Sequence, residues 1–319
     1  MRFVETNAPH NGTTTLGAPP AGGASSRVRN SAIVFLGGAC YGVVGAVVKF
    51  AYGDGFTFQQ VVCSQAFFAF VTFLLWAGID RMRRKERPRL SAKRRLKLAL
   101  IGLVSSGTTT FYYFALQFIP ASVGITLLFQ FTWLGLVFEV ATSRSAPAPA
   151  SVASAAVIMA GTVMASGIAS SGIGSLHPLG VVFGLMAAVC CATFMFLSGR
   201  VETSVPVAQR GLWASCGYVL MGFLLCPDYL PSGVLLEGIW HYGVILGPMA
   251  FVLPMVLFGI GCKHLSPGLS TVMAASELPI SVLLSVVLIH EAVTPLQVAG
   301  VVVILLGIAV AQLPAVRNR

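Results

Sequence analysis

Long apolar runs of about helix length alternate along this chain with short polar segments. Ten such runs stand out: Ser31–Phe50, Phe58–Ile79, Leu96–Phe118, Ala121–Val140, Ser151–Ile168, Pro178–Leu197, Ala208–Cys226, Trp240–Cys262, Pro267–Ile289 and Pro295–Leu313. About 20 mostly apolar residues suffice for a helix to cross the hydrocarbon of a bilayer. The runs are unbroken rather than alternating, which argues against membrane β-strands. The pattern therefore predicts an all-α membrane protein with ten transmembrane helices.

Two runs organise the rest. Pro120 to Val140 and Pro267 to Ile289 each begin on a proline, and each carries one polar side chain about ten residues in. At an offset of 147 residues Pro120 falls on Pro267 and Gln130 falls on Glu277. This points to an internal duplication of a five-helix unit. Five is odd, so the second copy enters the membrane from the opposite face. Inverted repeats of this kind recur in secondary transporters, which place their substrate site near the midplane between the halves. The expected organisation is a disordered cytoplasmic tail over 1–30, a first repeat over 31–168, an inverted second repeat over 177–313 and a tail over 314–319. The glycine-rich stretch Gly167–Gly174 links the halves.

Charge placement supports this layout. With the N-terminus inside, the inner segments carry Arg27, Arg29, the cluster from Arg81 to Lys97, Arg144, Arg200, Arg210 and Lys263. The outer segments Ala51–Thr57, Ser170–His177, Pro227–Ile239 and His290–Thr294 carry no Lys or Arg. They hold Asp54, Asp228, Glu237 and Glu291 instead. Basic residues favour the cytoplasmic side, so both termini are expected there. Only Lys49, at the outer end of the first run, departs from the pattern.

Composition excludes the soluble classes. Charged residues make up 9% of the 319, hydrophobic residues 56%, and mean hydropathy is +0.86. A soluble domain carries about 25% charged residues. The net charge of +10 does not point to nucleic acid, because ten of the twenty Lys and Arg lie between Arg81 and Lys97, directly between two runs. Anionic lipid headgroups are the expected partner of that loop. The seven cysteines show no CxxC or Cys/His ligand spacing, so neither a metal nor a cofactor is expected. Gly38-x-x-x-Gly42, Gly243-x-x-x-Gly247, Gly300 and Gly307 suit close helix packing. Pro248, Pro254 and Pro279 lie inside runs, where proline bends a helix.

The segment Gly259–Ala311 resembles the C-terminal repeat of the drug/metabolite transporter superfamily, in its ten-helix EamA-type branch. Ser266-Pro267, Glu277, Pro279, Glu291, Thr294-Pro295, Gly300 and Gly307 carry the likeness, and Phe111–Ala165 is similar to the N-terminal copy. Three places depart from the pattern. Leu278 separates Glu277 from Pro279, Arg144 stands where a loop Glu is usual, and Cys63-Ser64-Gln65 replaces an early Arg in the second helix. The overall look is similar to bacterial amino-acid exporters, particularly those for aromatic and other apolar amino acids. The resemblance implies export of small metabolites across the inner membrane, with a single chain as the expected unit.

Glu277 is the sharpest candidate residue. At about 1.5 Å per residue it lies about 15 Å into its span, where a charge is costly and marks a functional position by default. It contacts a substrate amine, takes a proton, or locks its helix to a neighbour. Gln130, its counterpart, both donates and accepts. Lys49 either snorkels to the interface or draws a substrate carboxylate to the outer mouth. Tyr41, Tyr112, Tyr113 and Trp133 lie at similar depth and either line a cavity or pack. Adjacent residues point apart on a helix, so at most one of Tyr112 and Tyr113 is expected to face the centre.

A membrane enzyme needs converging nucleophiles, bases or metal ligands, and mid-span ionisable groups are nearly absent beyond Glu277. A proton-coupled efflux pump for cationic drugs or other metabolites is the runner-up, disfavoured because the first run holds no carboxylate. A nucleotide-sugar carrier wants several basic residues in its cavity. The expected function is a secondary carrier for amino acids, alternating access around a midplane cavity and driven by the substrate gradient.

Overall fold

The computed structural model describes residues 24–83, 90–119, 121–144, 146–166, 177–290 and 293–312. Residues 1–23, part of the basic loop (84–89), Pro120, Ser145, the whole glycine-rich link (within 167–176), Glu291, Ala292 and the tail from 313 onward lie outside the described residues.

Every described element is helical. The first repeat comprises α1 (Ala24–Gly53), α2 (Phe58–Arg83), α3 (Ala92–Ala115), α4 (Ala121–Leu128), α5 (Phe131–Ser143) and α6 (Pro149–Ala165). The second comprises α7 (Pro178–Ser198), α8 (Val207–Leu225), α9 (Trp240–Gly247), α10 (Leu253–Gly261), α11 (Pro267–Ala274), α12 (Glu277–Ile289) and α13 (Pro295–Val310). All ten expected segments are present, but two of them are broken. The run from Ala121 divides into α4 and α5 around Phe129–Gln130, and the run from Pro267 divides into α11 and α12 around Ala275–Ser276. The eighth segment holds α9 and α10 joined by a π-helical turn over Pro248–Val252.

One expectation needs correction at the N-terminus. Residues 24–30, assigned to a disordered tail, form the first turns of α1. Asn30 and Ser31 are buried there, and the Arg27 guanidinium donates to the Ala311 carbonyl at 3.4 Å. Contact with the C-terminal helix, rather than local composition, extends α1 toward its start.

Several helices start on a side-chain cap followed by proline, which has no N–H to lose in a first turn. Ser266 accepts from Leu269 N at 3.3 Å ahead of Pro267. Thr294 and Gln297 form a reciprocal capping box ahead of Pro295.

Seven segments are long and apolar enough to cross a membrane by length and composition alone. The helices α6 and α13, of 17 and 16 residues, are shorter apolar helices. They pack on each other so closely that a Cβ on Gly161 would lie 2.9 Å from the Gly300 carbonyl oxygen. Large apolar side chains cover the perimeter, with Leu75, Leu224 and Leu306 at 63%, 66% and 57% exposure. In water such a surface would promote association, whereas in lipid tails it is the ordinary exterior.

Helix neighbours are related by exchange of the halves. The helix α1 lies against α12, and its counterpart α7 lies against α4 and α5. Likewise α3 packs on α8 while α2 packs on α9. The pairs α6–α13 and α2–α8 map onto themselves, as do the two broken segments taken whole, which meet through α5 and α11. The two copies are therefore interleaved inverted repeats rather than neighbouring lobes.

Basic helix ends gather on one side. Arg94 pairs with Glu202 at 2.6 Å, and the Arg95 guanidinium sits 5.0 Å from the Trp213 ring centre. The first contact brings the start of α3 to the α7–α8 connection, and the second brings it to α8 itself.

Candidate functional site

The two helix breaks lie at matching positions of the two repeats, and each has its own local chemistry. In the first repeat, Gln130 N turns to Leu127 O at 3.1 Å, one residue short of the helical partner. This frees the Thr126 carbonyl, and the Gln130 side-chain amide takes it at 3.1 Å. The Gln130 side-chain oxygen accepts from the Trp133 indole at 2.7 Å. Both ends of the amide are thus engaged at the break itself.

In the second repeat, Ser276 N likewise turns to Met273 O, at 3.4 Å. The Ser276 hydroxyl donates to Phe35 O on α1 at 2.6 Å, tying the break to the first helix. The close approach of α1 depends on glycine. A Cβ on Gly42 would lie 2.7 Å from the Glu277 carbonyl oxygen, and one on Gly38 would lie 2.8 Å from Ala274 Cα. The motif Gly243-x-x-x-Gly247 works the same way against α2, with a Gly247 Cβ only 2.6 Å from Ala69 N. The two broken helices also meet: Thr271 donates to Thr132 O at 2.9 Å, beside Gly135.

Glu277 opens α12, so its carboxyl belongs to the first turn of a half-helix that starts about ten residues into the Pro267–Ile289 segment. The helix dipole favours negative charge there, by about 0.3–1 kcal/mol. The side chain is half-buried. Tyr41 on α1, Tyr112 on α3 and Cys191 on α7 all lie within its electrostatic range. None of these neighbours brings a positive charge. Both repeats contribute to the group.

The two adjacent tyrosines diverge as helix geometry requires, although their ring centres are only 6.0 Å apart. Tyr112 lies within electrostatic range of Glu277, while Tyr113 packs on Phe58 at 6.0 Å and shares a hydroxyl contact with Tyr52. Tyr41 packs on Phe258 at 6.2 Å, and Phe258 on Phe194 at 6.1 Å. The other expected residues stand apart from this group. Trp133 is 42% exposed on α5, its indole directed to Gln130. Lys49 is exposed two turns beyond Tyr41, toward the end of α1.

Sequence reasoning passed over four members of the cluster. Tyr218 on α8 is fully buried, stacks on Phe251 at 4.3 Å between ring centres and accepts a hydrogen bond from Gln65. Thr109 reaches the same phenol, and Tyr218 and Tyr113 are within electrostatic range of each other. Cys191 carries no pattern that would mark it. Gln65 had a signal, since it lies in the segment where the resemblance expects an arginine.

Glu139 is a further omission. Its carboxylate accepts from Gly268 N at 3.1 Å, so it caps α11 from α5 and joins the two broken helices at a second point.

Near the opposite ends of α1 and α9 a cleft of about 400 Å³ is lined by Asp54, Phe56, Glu237, His241, Tyr242 and neighbouring backbone. The Tyr242 hydroxyl donates to Asp54.

The family model described as "EamA-like transporter family" matches the chain twice, over residues 31–167 and 178–312. The chain belongs to the EamA-like transporter family. A solved structure titled "Crystal structure of protein" is similar at 22% identity and a TM-score of 0.66, covering 88% of this chain and 98% of that one. That likeness shows the shared fold. No curated protein sequence matches the chain. As an EamA-like transporter the chain is a multi-pass membrane protein that carries small molecules, and the family is one of transporters rather than enzymes. Both matched copies contribute to the Glu277 cluster, α1 and α3 from the first and α7 and α12 from the second.

Proposed function

We propose that this EamA-like transporter is a secondary carrier exporting amino acids with aromatic or other apolar side chains across a bacterial inner membrane. The observation that carries the reading is the carboxyl of Glu277, set at a helix start of the second repeat among tyrosines of the first. A carboxylate offers an ammonium group its counter-charge. Aromatic walls with a few polar groups suit an apolar side chain. In this reading the substrate lies against Glu277, Tyr41 and Tyr112. Gln130 and Trp133 form the wall at the partner break, and Lys49 draws carboxylates to the outer mouth.

The breaks give the two repeats places to bend. Interrupted helices at the repeat interface are where such carriers hold substrate while one repeat rocks against the other. Access then alternates across the cluster, with both termini and the Arg-rich helix ends in the cytoplasm. Export runs down the substrate gradient, and a single chain suffices.

A carboxylate among tyrosine faces also suits a permanent cation, through charge and ring quadrupole together. That favours cationic drug efflux as the second reading. Counterflow of labelled amino acids and of a quaternary ammonium compound, with purified protein in liposomes, separates the two. Saturable exchange of phenylalanine or leucine, with little effect of an imposed pH gradient, is the expected result. Exchange of the quaternary amine alone, driven by protons, would replace the first reading by the second.

A further inference from the structure

A small pocket at the Lys/Arg-rich end of the molecule is separate from the Glu277 cluster. It lies between the α7–α8 connection and α10, with a volume of about 60 Å³. About 10–15 Å³ of such space holds one water, so the pocket has room for one small polar group. Arg210, Lys263 and Thr203 give it a polar side, and Val207, Val256 and Ile260 an apolar one.

Arg210 is the unusual member. It is 5% exposed, yet no carboxylate pairs with it among the described residues. One Nη donates to the Ser198 carbonyl at the end of α7, while Nε has no hydrogen-bond partner. The fold makes room for the group: a Cβ on Gly259 would lie 2.6 Å from the other Nη. The acid on the connection itself, Glu202, is engaged by Arg94 at 2.6 Å. The ionisable side chain in electrostatic range of Arg210 is the buried thiol of Cys262. A buried guanidinium with free donors and no counter-charge is costly. Its planar fork matches oxyanions.

The apolar side settles which oxyanion fits. Val207 and Ile260 are 37% and 38% exposed, so the wall of the pocket continues onto the surface that faces lipid tails. A ligand with a phosphate at one end and acyl chains at the other meets both sides. We propose that this pocket binds a phosphate oxyanion, supplied by the headgroup of an acidic phospholipid. Arg210 and Lys263 hold the charge, Thr203 donates to it, and the acyl chains lie over Val256 and Ile260.

The test uses the full chain in mild detergent, titrated with phosphatidylglycerol, phosphatidylcholine or inorganic phosphate. Native mass spectrometry counts bound lipid, and thermal unfolding reads the protection. Phosphatidylglycerol is expected to bind and protect well ahead of phosphatidylcholine. Lys263→Gln, on an exposed side chain, is expected to weaken phosphatidylglycerol about fivefold, the usual worth of one basic residue near an anionic surface. Arg210→Lys keeps the charge, loses the fork, and is expected to weaken it at least as much. Arg83→Gln, at the exposed end of α2, should leave it unchanged. Equal binding of the two lipids, or no effect of Lys263→Gln, would overturn the site. Protection by inorganic phosphate matching that by phosphatidylglycerol would overturn the headgroup as its source. If Arg210→Lys does not fold, Lys263→Gln and Thr203→Val still decide.

Discussion

Replacing Glu277 with glutamine should move stability and transport in opposite directions. The side chain opens α12 about ten residues into its span, which places it about 15 Å deep. Its neighbours Tyr41, Tyr112 and Cys191 bring no positive charge. Insertion scales put a mid-membrane charge at about 2.5–3.5 kcal/mol, of which the dipole of α12 returns about 0.3–1 kcal/mol. Glutamine keeps the shape and part of the polar cost, so Glu277→Gln should stabilise the fold by about 1–2 kcal/mol. Transport should suffer, because removing one partner of a buried charge pair costs about 2–5 kcal/mol. That is a loss of at least about 30-fold in kcat/KM for an amine-bearing substrate. Proteoliposome exchange measures the second effect. A thiol-reactive dye in a thermal ramp measures the first, since all seven cysteines are free and Cys63 and Cys262 are buried. Wild-type exchange by the variant would remove Glu277 from the site. Loss of stability together with unchanged exchange would make it a structural lock between α12 and α1.

Other substitutions test separate parts of the account. Gln130→Leu removes the bonds to Thr126 and from Trp133, each worth about 0.6 kcal/mol in a membrane interior, so a loss of about 1–2 kcal/mol is expected by the same thermal ramp. Gly161→Ala drives a methyl group toward the Gly300 carbonyl at 2.9 Å and should cost about 1–3 kcal/mol. Gly78→Ala, on α2 with nothing within 4 Å, should instead stabilise by up to about 1 kcal/mol, and detergent unfolding compares the two. Thr294→Ala breaks the capping box of α13 and should cost about 1 kcal/mol, read as a lower unfolding midpoint.

The ten segments were legible because lipid imposes a plain requirement: about 20 apolar residues and every backbone group bonded within the helix. The duplication was legible because Gln130 and Glu277 interrupt otherwise apolar runs at the same register. The breaks beside them were not. Pro279 hinted at one, but α4 and α5 part at Phe129–Gln130 without a proline, because a side-chain amide replaces the missing backbone donor. The bend at Pro248, by contrast, follows the sequence and appears as the π-helical turn Pro248–Val252. Residues 24–30 became helical through a contact with Ala311 far along the chain, which no local pattern reports. The same limit hid Tyr218, whose role depends on α8 packing against α2 and α3. Glu139 was overlooked because it lies near the end of its run, where charges are ordinary.

Side-specific labelling of Cys191 tests the central claim most directly, since this native thiol lies in range of Glu277 where the repeats meet. With Cys191 as the sole cysteine, a membrane-impermeant thiol reagent is applied to right-side-out and inverted vesicles, with and without substrate. The account predicts labelling from one face at a time, with the favoured face changing when substrate is added. Simultaneous labelling from both faces would describe an open channel, and protection from both in every condition would remove the shared mid-membrane site.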